Sequence, residues 1–403
     1  MHLDQQLDIL MQGTEYGDKQ TAANMRADLR KRLELDRPLR VYCGYDPTST
    51  DLHLGHTITM RKLRQFQKLG HEVTFLIGSY TALVGDQSDK NKARPILTQE
   101  QVTENGKTYT EQAFRILDPE KTNIRSNGEW LSKLSLVDLI RLGQNFTVQQ
   151  FLARENFSRR WEKNEPIYLH ESFYALMQGY DAVALEADVQ VGGTDQLFNI
   201  IVAGRKLQEA LGQTPQVGII MSILPGTDGV QRMSKSTGNH IPILATAEDM
   251  YGKIMALPDV AMPLYSRLIT RWTPVEIAEK EKQLEVGELH PRDAKMALAY
   301  ENVSIFHGNE AASIAEDHFK SVFQQRSLPA DMPELRLSAS QSIVELMAEN
   351  GLASSKGEAR RLIKQGGVRL DGEKVDNINL VLDLNSETIL QVGKRKFAKL
   401  IPK

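Results

Sequence analysis

Residues 40–78 read RVYCGYDPTSTDLHLGHTITMRKLRQFQKLGHEVTFLIG, and their pattern decides the fold. RVYCGYD (40–46) is rich in β-branched and aromatic residues and reads as a short buried strand. PTSTD is a turn offering several side chains able to cap a helix. From Leu52 to Leu69 apolar residues recur at helical spacing (Leu54, Ile58, Leu63, Phe66, Leu69), and Gly70 suits the helix stop. HEVTFLIG (71–78) is a second strand. Strand, helix, strand within about 40 residues is a βαβ unit, which implies a parallel sheet with a right-handed crossover. The chain is therefore read as α/β.

Further strands are expected at ADVQVG (187–192) and VGIIMSIL (217–224), with a helix at about 195–211 between them. An open parallel sheet binds ligands at the carboxyl ends of its strands, where DPTSTDLHLGH and GGTDQ both fall. PGTDGVQRMSKSTGNH (225–240) reads as a mobile loop. Residues 246–325 are helical in pattern, interrupted by Pro258, Pro263, Pro274 and Pro291. SLPADMPEL (327–335) reads as a linker. Beyond it SASQSIVELMAENGLASSKGEARRLIKQGGVRLDGEKV reads as two short helices, a tight turn and a strand. Three domains follow: 1–225, 226–330 and 336–403.

The bulk numbers agree with a multi-domain globular protein. The 403 residues are 41% hydrophobic and 25% charged, with a net charge of −3, so no global charge advertises nucleic acid. A single cysteine excludes an internal disulfide framework and a Cys-rich zinc site, and suits a reducing compartment. No signal-peptide pattern opens the chain, and no apolar stretch approaches about 18 residues. A cytoplasmic location is expected. Charge is uneven: from Arg336 onward there are 12 Lys+Arg against 8 Asp+Glu, leaving 37 against 44 before it. An acidic body with a basic tail points to a polyanionic partner for the tail.

In DLHLGH (51–56), His53 and His56 stand three positions apart. Helix N-termini carry unpaired N–H groups and partial positive charge that suit phosphate oxygens. Gly55 permits close approach of a ligand, and both imidazoles can donate to phosphate as charge builds in a transition state. Phosphate binding, helix capping and a metal are all open on these residues alone, although no carboxylate–histidine cluster joins Cys43 on the adjacent strand. RMSKS (232–236) adds a lysine flanked by serines in a flexible loop, able to fold over a triphosphate as a mobile point charge.

H-x-G-H on a first βα turn with [KR]-M-S-K-S about 180 residues later resembles the class I aminoacyl-tRNA synthetases. YCGYDPTSTDLHLGH, YALMQGYD (174–181) and QVGGTDQ (190–196) resemble the tyrosyl-specific branch of bacterial type. The resemblance implies a Rossmann-like parallel-sheet catalytic domain, an α-helical domain, and a small α+β RNA-binding domain. It implies that Tyr42 and Asp181 hold a phenolic oxygen, and that Asp86, Tyr174 and Gln178 hold the substrate ammonium, with Gln196 near tyrosine. A phenol site needs an apolar slot with polar groups at its far end, left unpaired by a substrate lacking the hydroxyl. On the nucleotide side it implies Gly44, Asp46, Thr48, Gly55, Gly193 and Asp195, with Asp195 near the ribose. His53, His56, Lys235, Arg232 and Ser236 fall on the transferring phosphates. In VGDQSDKNKAR (84–94), Lys90 and Arg94 match the basic positions that assist ATP. Departures are Arg232 where lysine is usual, Leu54 for isoleucine, and Leu197 for an aromatic.

The C-terminal stretch resembles a small RNA-binding module, with Lys356, Arg360, Arg361 and Lys364 as a basic helix face. Lys394, Arg395 and Lys396 are candidates to extend it. The implied reaction has two steps: tyrosine carboxylate attacks the ATP α-phosphate, and the adenylate then acylates the 3′ end of tRNA(Tyr). No covalent protein nucleophile is needed, Mg²⁺ arrives with ATP, no tightly bound cofactor or protein metal is expected, and a homodimer is implied. The readings weighed against this are a tryptophan-specific synthetase, a small nucleotidyltransferase with H-x-G-H, and an RNA-binding protein with a silenced catalytic domain.

Overall fold

The computed structural model describes residues 1–47, 52–85, 98–321, 332–337, 341–382, 387–393 and 396–402. Two compact units divide them, Met1–Glu316 and Asp317–Lys403.

The first unit is built on a parallel five-stranded sheet: β1 (Arg40–Tyr45), β2 (Glu72–Ile77), β3 (Thr122–Ser126), β4 (Val189–Gly193) and β5 (Val217–Met221), in the order β3-β2-β1-β4-β5. Pairing runs Val41 with Val73 and Val189, and Val189 with Val217. All four valines are at most 1% exposed. A parallel strand covered on both faces must be apolar almost throughout, which is why these segments read as short apolar runs. Strand order reverses between β1 and β4, so the crevice opens at their carboxyl ends.

Two helices, α1 (Leu3–Met11) and α2 (Lys19–Leu33), precede the sheet. The crossover from β1 to β2 is α3 (Leu54–Lys68), which buries Leu54, Ile58, Leu63 and Phe66. Gly70 follows in the left-handed region at φ 88°, where a side chain would be strained. Several helix starts were written locally as capping boxes: Thr98 with Gln101, Ser135 with Asp138, Thr273 with Glu276. Pro263 and Pro274 begin helices instead of interrupting them, because the first turn needs no N–H from them.

Three features depart from the sequence reading. Strand β3 was not anticipated; its segment TNIRS is polar and mostly exposed at the sheet edge, so it carries little apolar signal. The helix expected at 195–211 is broken into a 3₁₀ turn (Thr194–Gln196), a π-helical stretch (Phe198–Gly204) and an α-helix (Arg205–Ala210). Helix α3 starts at Leu54 and is capped by His53; Asp51, the last residue of the PTSTD turn expected to supply the cap, lies outside the described residues.

The second unit has its own core, including Ile343, Met347, Ile363, Val368, Leu390 and Leu400. Helices Ile343–Glu349 and Lys356–Lys364 accompany a sheet of order β6-β12-β11-β8-β9. These strands are β6 (Glu334–Leu337), β8 (Val368–Leu370), β9 (Glu373–Lys374), β11 (Thr388–Val392) and β12 (Lys396–Pro402), while β7 (Gln341–Ser342) pairs with β10 (Val381–Leu382). The sequence reading had one strand here; β6, β7, β9 and β10 are only two to four residues long, and β11 and β12 went unread.

Candidate active site

At the β1/β4 crevice lies a cavity of about 270 Å³. Its lining comes from the ends of β1 (Cys43, Gly44, Tyr45, Asp46) and β4 (Gly192, Gly193, Asp195, Gln196), from His53, Gly55 and His56 at the start of α3, and from Arg232 and Met233 of the signature loop. Halves of the sequence pattern 180 residues apart therefore share one cavity.

The histidines cap their own helix. His53 Nδ1 accepts the Gly55 N–H at 3.2 Å, and His56 Nδ1 accepts the His53 N–H at 3.2 Å. With Nδ1 of each neutral ring used as an acceptor, the ring proton sits on Nε2, so both rings offer Nε2–H as a donor. Burial pushes the His53 imidazole down to about 2, helped by His56, His240, Lys235 and Arg232; burial with Arg232 and Lys235 pushes His56 down to about 4. Gly55 has an internal reason beyond ligand access: a Cβ there would stand 2.9 Å from the His53 ring. Capping and donation, open alternatives from sequence, are opposite nitrogens of the same rings.

A second polar group sits deeper. Asp181 is 3% exposed and takes hydrogen bonds from Trp130 Nε1 at 2.8 Å and Asn127 Nδ2 at 3.3 Å. Burial still pushes its carboxyl up to about 8, with Asp46 adding to the shift. Tyr42 is 1% exposed among Leu76, Ala182 and Ala187, and its hydroxyl has no hydrogen-bond partner among the described residues. Burial and the nearby Asp181 charge hold that phenol well above its usual range. An orphaned hydroxyl beside a buried carboxyl suits an incoming phenol or similar donor–acceptor. Tyr174 donates to Asp46 Oδ2 at 2.9 Å, and Thr81 donates to Asp46 Oδ1 at 2.7 Å. Gln178 and Gln196 each accept from Asn199 Nδ2 at 3.0 Å.

The signature loop is fastened to this floor. Leu54 N–H donates to Ile241 at 3.0 Å, and Ile243 N–H donates to Leu52 at 3.1 Å. Arg232 Nη1 stands 3.8 Å from Asp195 Oδ2. Ser236 Oγ is 2.8 Å from Ser234 Oγ. Lys235 acts electrostatically on both histidines.

Of the sequence-expected site residues, Gly44, Asp46, His53, Gly55, His56, Tyr174, Gln178, Asp181, Gly193, Asp195, Gln196 and Arg232 line the one cavity. Tyr42 does not line this cavity and lines a separate one with Thr74, Ala184 and Leu185, and Lys235 and Ser236 follow in the loop. Thr48, Asp86, Lys90 and Arg94 lie outside the described residues. Sequence reasoning missed Asn127, Trp130 and Thr81, which fix the two carboxylates. The only trace of the first two was NGEW (127–130) after an unrecognised strand. Among the described residues no group of three or more His, Cys, Asp or Glu could hold a metal ion.

In the second unit, Lys356, Arg360, Arg361 and Lys364 are all exposed while Ala359 and Ile363 face its core. Lys356 pairs with Glu345 at 2.6 Å and Arg361 with Glu358 at 3.7 Å. Lys394 and Arg395 lie outside the described residues, and Lys396 donates to the Gly351 carbonyl at 2.8 Å.

Residues 34–324 match the family of class I tRNA synthetases for W and Y, and residues 324–400 match the tyrosine–tRNA ligase SYY-like C-terminal domain. The tyrosine–tRNA ligase of Thermotoga maritima is 48% identical over 373 residues, 93% of each chain. That of Oleidesulfovibrio alaskensis is 47% identical over 404 residues, spanning both chains entirely. Among solved structures, a C-terminally truncated mitochondrial tyrosyl-tRNA synthetase from Aspergillus nidulans shares the fold at a TM-score of 0.63 and 23% identity, covering 80% of this chain and 94% of its own. A tyrosyl-tRNA synthetase complexed with L-tyrosine from Archaeoglobus fulgidus does so at 0.61 and 23%, covering 78% and 100%. The curated relatives and the C-terminal match are tyrosine ligases and carry neither the tryptophan nor the silenced-domain reading, so the chain belongs to the tyrosine–tRNA ligase family of class I tRNA synthetases.

Proposed function

We propose that the β1/β4 cavity joins L-tyrosine to ATP, giving tyrosyl-adenylate and pyrophosphate, and then passes the tyrosyl group to the 3′ end of tRNA(Tyr), releasing AMP. The observation that carries this is the meeting of two neutral Nε2–H donors, the signature-loop cations and a buried carboxyl around one crevice.

Asp181 and Tyr42 receive the phenol at the closed end, and Tyr174, Gln178 and Asp86 take the ammonium, with Gln196 beside tyrosine. Asp46, Thr48, Gly44, Gly55, Gly193 and Asp195 line the adenylate, Asp195 toward the ribose. The substrate carboxylate attacks the α-phosphorus, the bond to pyrophosphate breaks, and charge gathers on the departing oxygens. His53 and His56 donate to those oxygens while Lys235, Arg232, Ser236, Lys90 and Arg94 neutralise them. Mg²⁺ enters bound to ATP as part of the substrate. No covalent nucleophile from the protein is required, so positioning and charge supply the rate.

The basic face Lys356, Arg360, Arg361 and Lys364 meets the tRNA backbone. The working assembly is a homodimer, supported by the helix Leu136–Gly143, which leaves Leu136 74%, Val137 54% and Ile140 62% exposed. The domain limits 1–225, 226–330 and 336–403 and a cytoplasmic site of action complete the reading.

ATP–pyrophosphate exchange with tyrosine, tryptophan and phenylalanine tests it. Exchange driven by tyrosine alone is expected; equal exchange with tryptophan, or none with tyrosine, refutes it.

A further inference from the structure

The loop that carries Arg232 and Lys235 closes on a single buried amide. Asn239 is 6% exposed. Its Nδ2 donates to Asp228 Oδ2 at 2.6 Å and to the carbonyls of Arg232 and Gln231 at 3.2 and 3.4 Å. Its Oδ1 accepts the Ser234 N–H at 2.8 Å and the Thr237 hydroxyl at 2.7 Å. Asp228 in turn accepts the N–H groups of Val230 and Gln231 at 2.8 and 2.7 Å. The backbone repeats the link, since Thr227 N–H donates to the Asn239 carbonyl at 2.8 Å. Gly226 leaves the space: a Cβ there would stand 2.2 Å from Asn239 Cγ.

We propose that Asp228 and Asn239 form a clamp that positions the RMSKS segment for phosphate transfer, as positioning residues that touch no substrate. Every polar group of the amide is used within the loop, and none of its partners belongs to the Asp181 end of the cavity. Two residues on, Ile241 accepts the Leu54 N–H at the start of the histidine helix. The clamp thus ties the loop cations to the same frame as His53 and His56. Charge stabilisation needs its donors prearranged where charge develops, and a small displacement forfeits much of the effect.

The inference rests on the reading above, so its test has a readout independent of the reaction. Four variants are compared with wild type: Asn239→Ala, Asn239→Asp, Asp228→Asn, and the swap Asp228→Asn with Asn239→Asp. Exchange kinetics give kcat and the KM values for ATP and tyrosine; trypsin digestion reports cleavage after Arg232 and Lys235. Asn239→Asp sets two carboxylates at hydrogen-bond distance. It is expected to lower the exchange rate by about tenfold or more while the tyrosine KM stays within about twofold. In the swap the amide at 228 can donate to the carboxylate at 239 while its oxygen still accepts both N–H groups, but the Arg232 and Gln231 carbonyls lose the donor they had in Asn239. It is therefore expected to recover part of the loss seen in Asn239→Asp. Trypsin should cut Asn239→Ala and Asn239→Asp faster, and the swap at a rate between that of Asn239→Asp and wild type. Single variants with wild-type rates and wild-type trypsin resistance overturn the clamp. So do a swap no better than Asn239→Asp, or an equal loss of tyrosine binding. Wild-type protein lacking tyrosine-dependent exchange overturns the proposed function instead, and the digestion still tests the clamp.

Discussion

At the scale of single residues, burial sets the ionisation of the groups around the cavity. His53 and His56 are held neutral by burial and by neighbouring cations, down to about 2 and about 4. The profile of kcat/KM for ATP, which reports the free enzyme, should therefore show no step from either ring between pH 5 and 8. A step near 6.5, removed by His56→Asn, would contradict it. Folding linkage has a definite sign: imidazoles that charge at about 6.5 when unfolded but stay neutral when folded withdraw stability as pH falls below that value. Asp181 runs the other way. Its carboxyl is pushed up to about 8 in the fold, so the unfolded chain sheds that proton first and stability declines as pH rises from about 4 to 8. Asp181→Asn should raise the unfolding midpoint at pH 8 and weaken tyrosine binding by about tenfold or more. Calorimetry and equilibrium dialysis read the two effects, and a variant that binds tyrosine normally removes Asp181 from the phenol site.

At the scale of elements, α3 is held at its start and at its middle by unusual means. Its N-terminus is closed by the histidines themselves. Farther along, Lys62 is 3% exposed and donates to the Ile9 and Gln12 carbonyls at 2.9 and 3.1 Å, gripping the end of α1. The segment beyond α1 then joins β5: Glu15 N–H donates to Ile220 at 2.8 Å and Ser222 N–H to Gly13 at 3.2 Å. Lys62→Met keeps the length but leaves two carbonyls unpaired, a cost of about 1–3 kcal/mol to be read from urea unfolding. An unchanged midpoint would show that the grip is replaceable. The βαβ unit was legible because strand period, turn and helix period are adjacent in the chain. Strand β3 was not, since an exposed edge strand has no buried face to imprint a pattern. The π-helical stretch Phe198–Gly204 was also hidden: its residues fit an ordinary helix, and packing selected the wider turn.

At the scale of the molecule, two units with separate cores imply separable tasks. A chain ending near residue 330 should keep tyrosine-dependent exchange while tRNA aminoacylation falls, and full aminoacylation would deny the basic tail its RNA role. The apolar face of Leu136–Gly143 makes a further claim on the whole. Ile140→Glu should shift the sedimentation of the protein from dimer to monomer, and an unchanged dimer would move the interface elsewhere.

What the sequence determined by itself was local: the βαβ pattern, the acidic body with a basic tail, and the two motifs whose joint presence pointed to phosphate chemistry. Those properties are written in neighbouring residues, where periodicity and spacing survive without a fold. Only the tertiary structure decided which nitrogen of each histidine is spent in capping, that Asp181 tends to keep its proton, and that Asn239 fastens the signature loop. Each depends on burial, or on partners that the chain must fold to bring together. Trp130 reaches Asp181 across 51 positions, and Ile241 meets Leu54 from the far side of the sheet sequence. Ionisation and proton position follow from solvent exclusion and from such partners, and neither exists until the chain has folded.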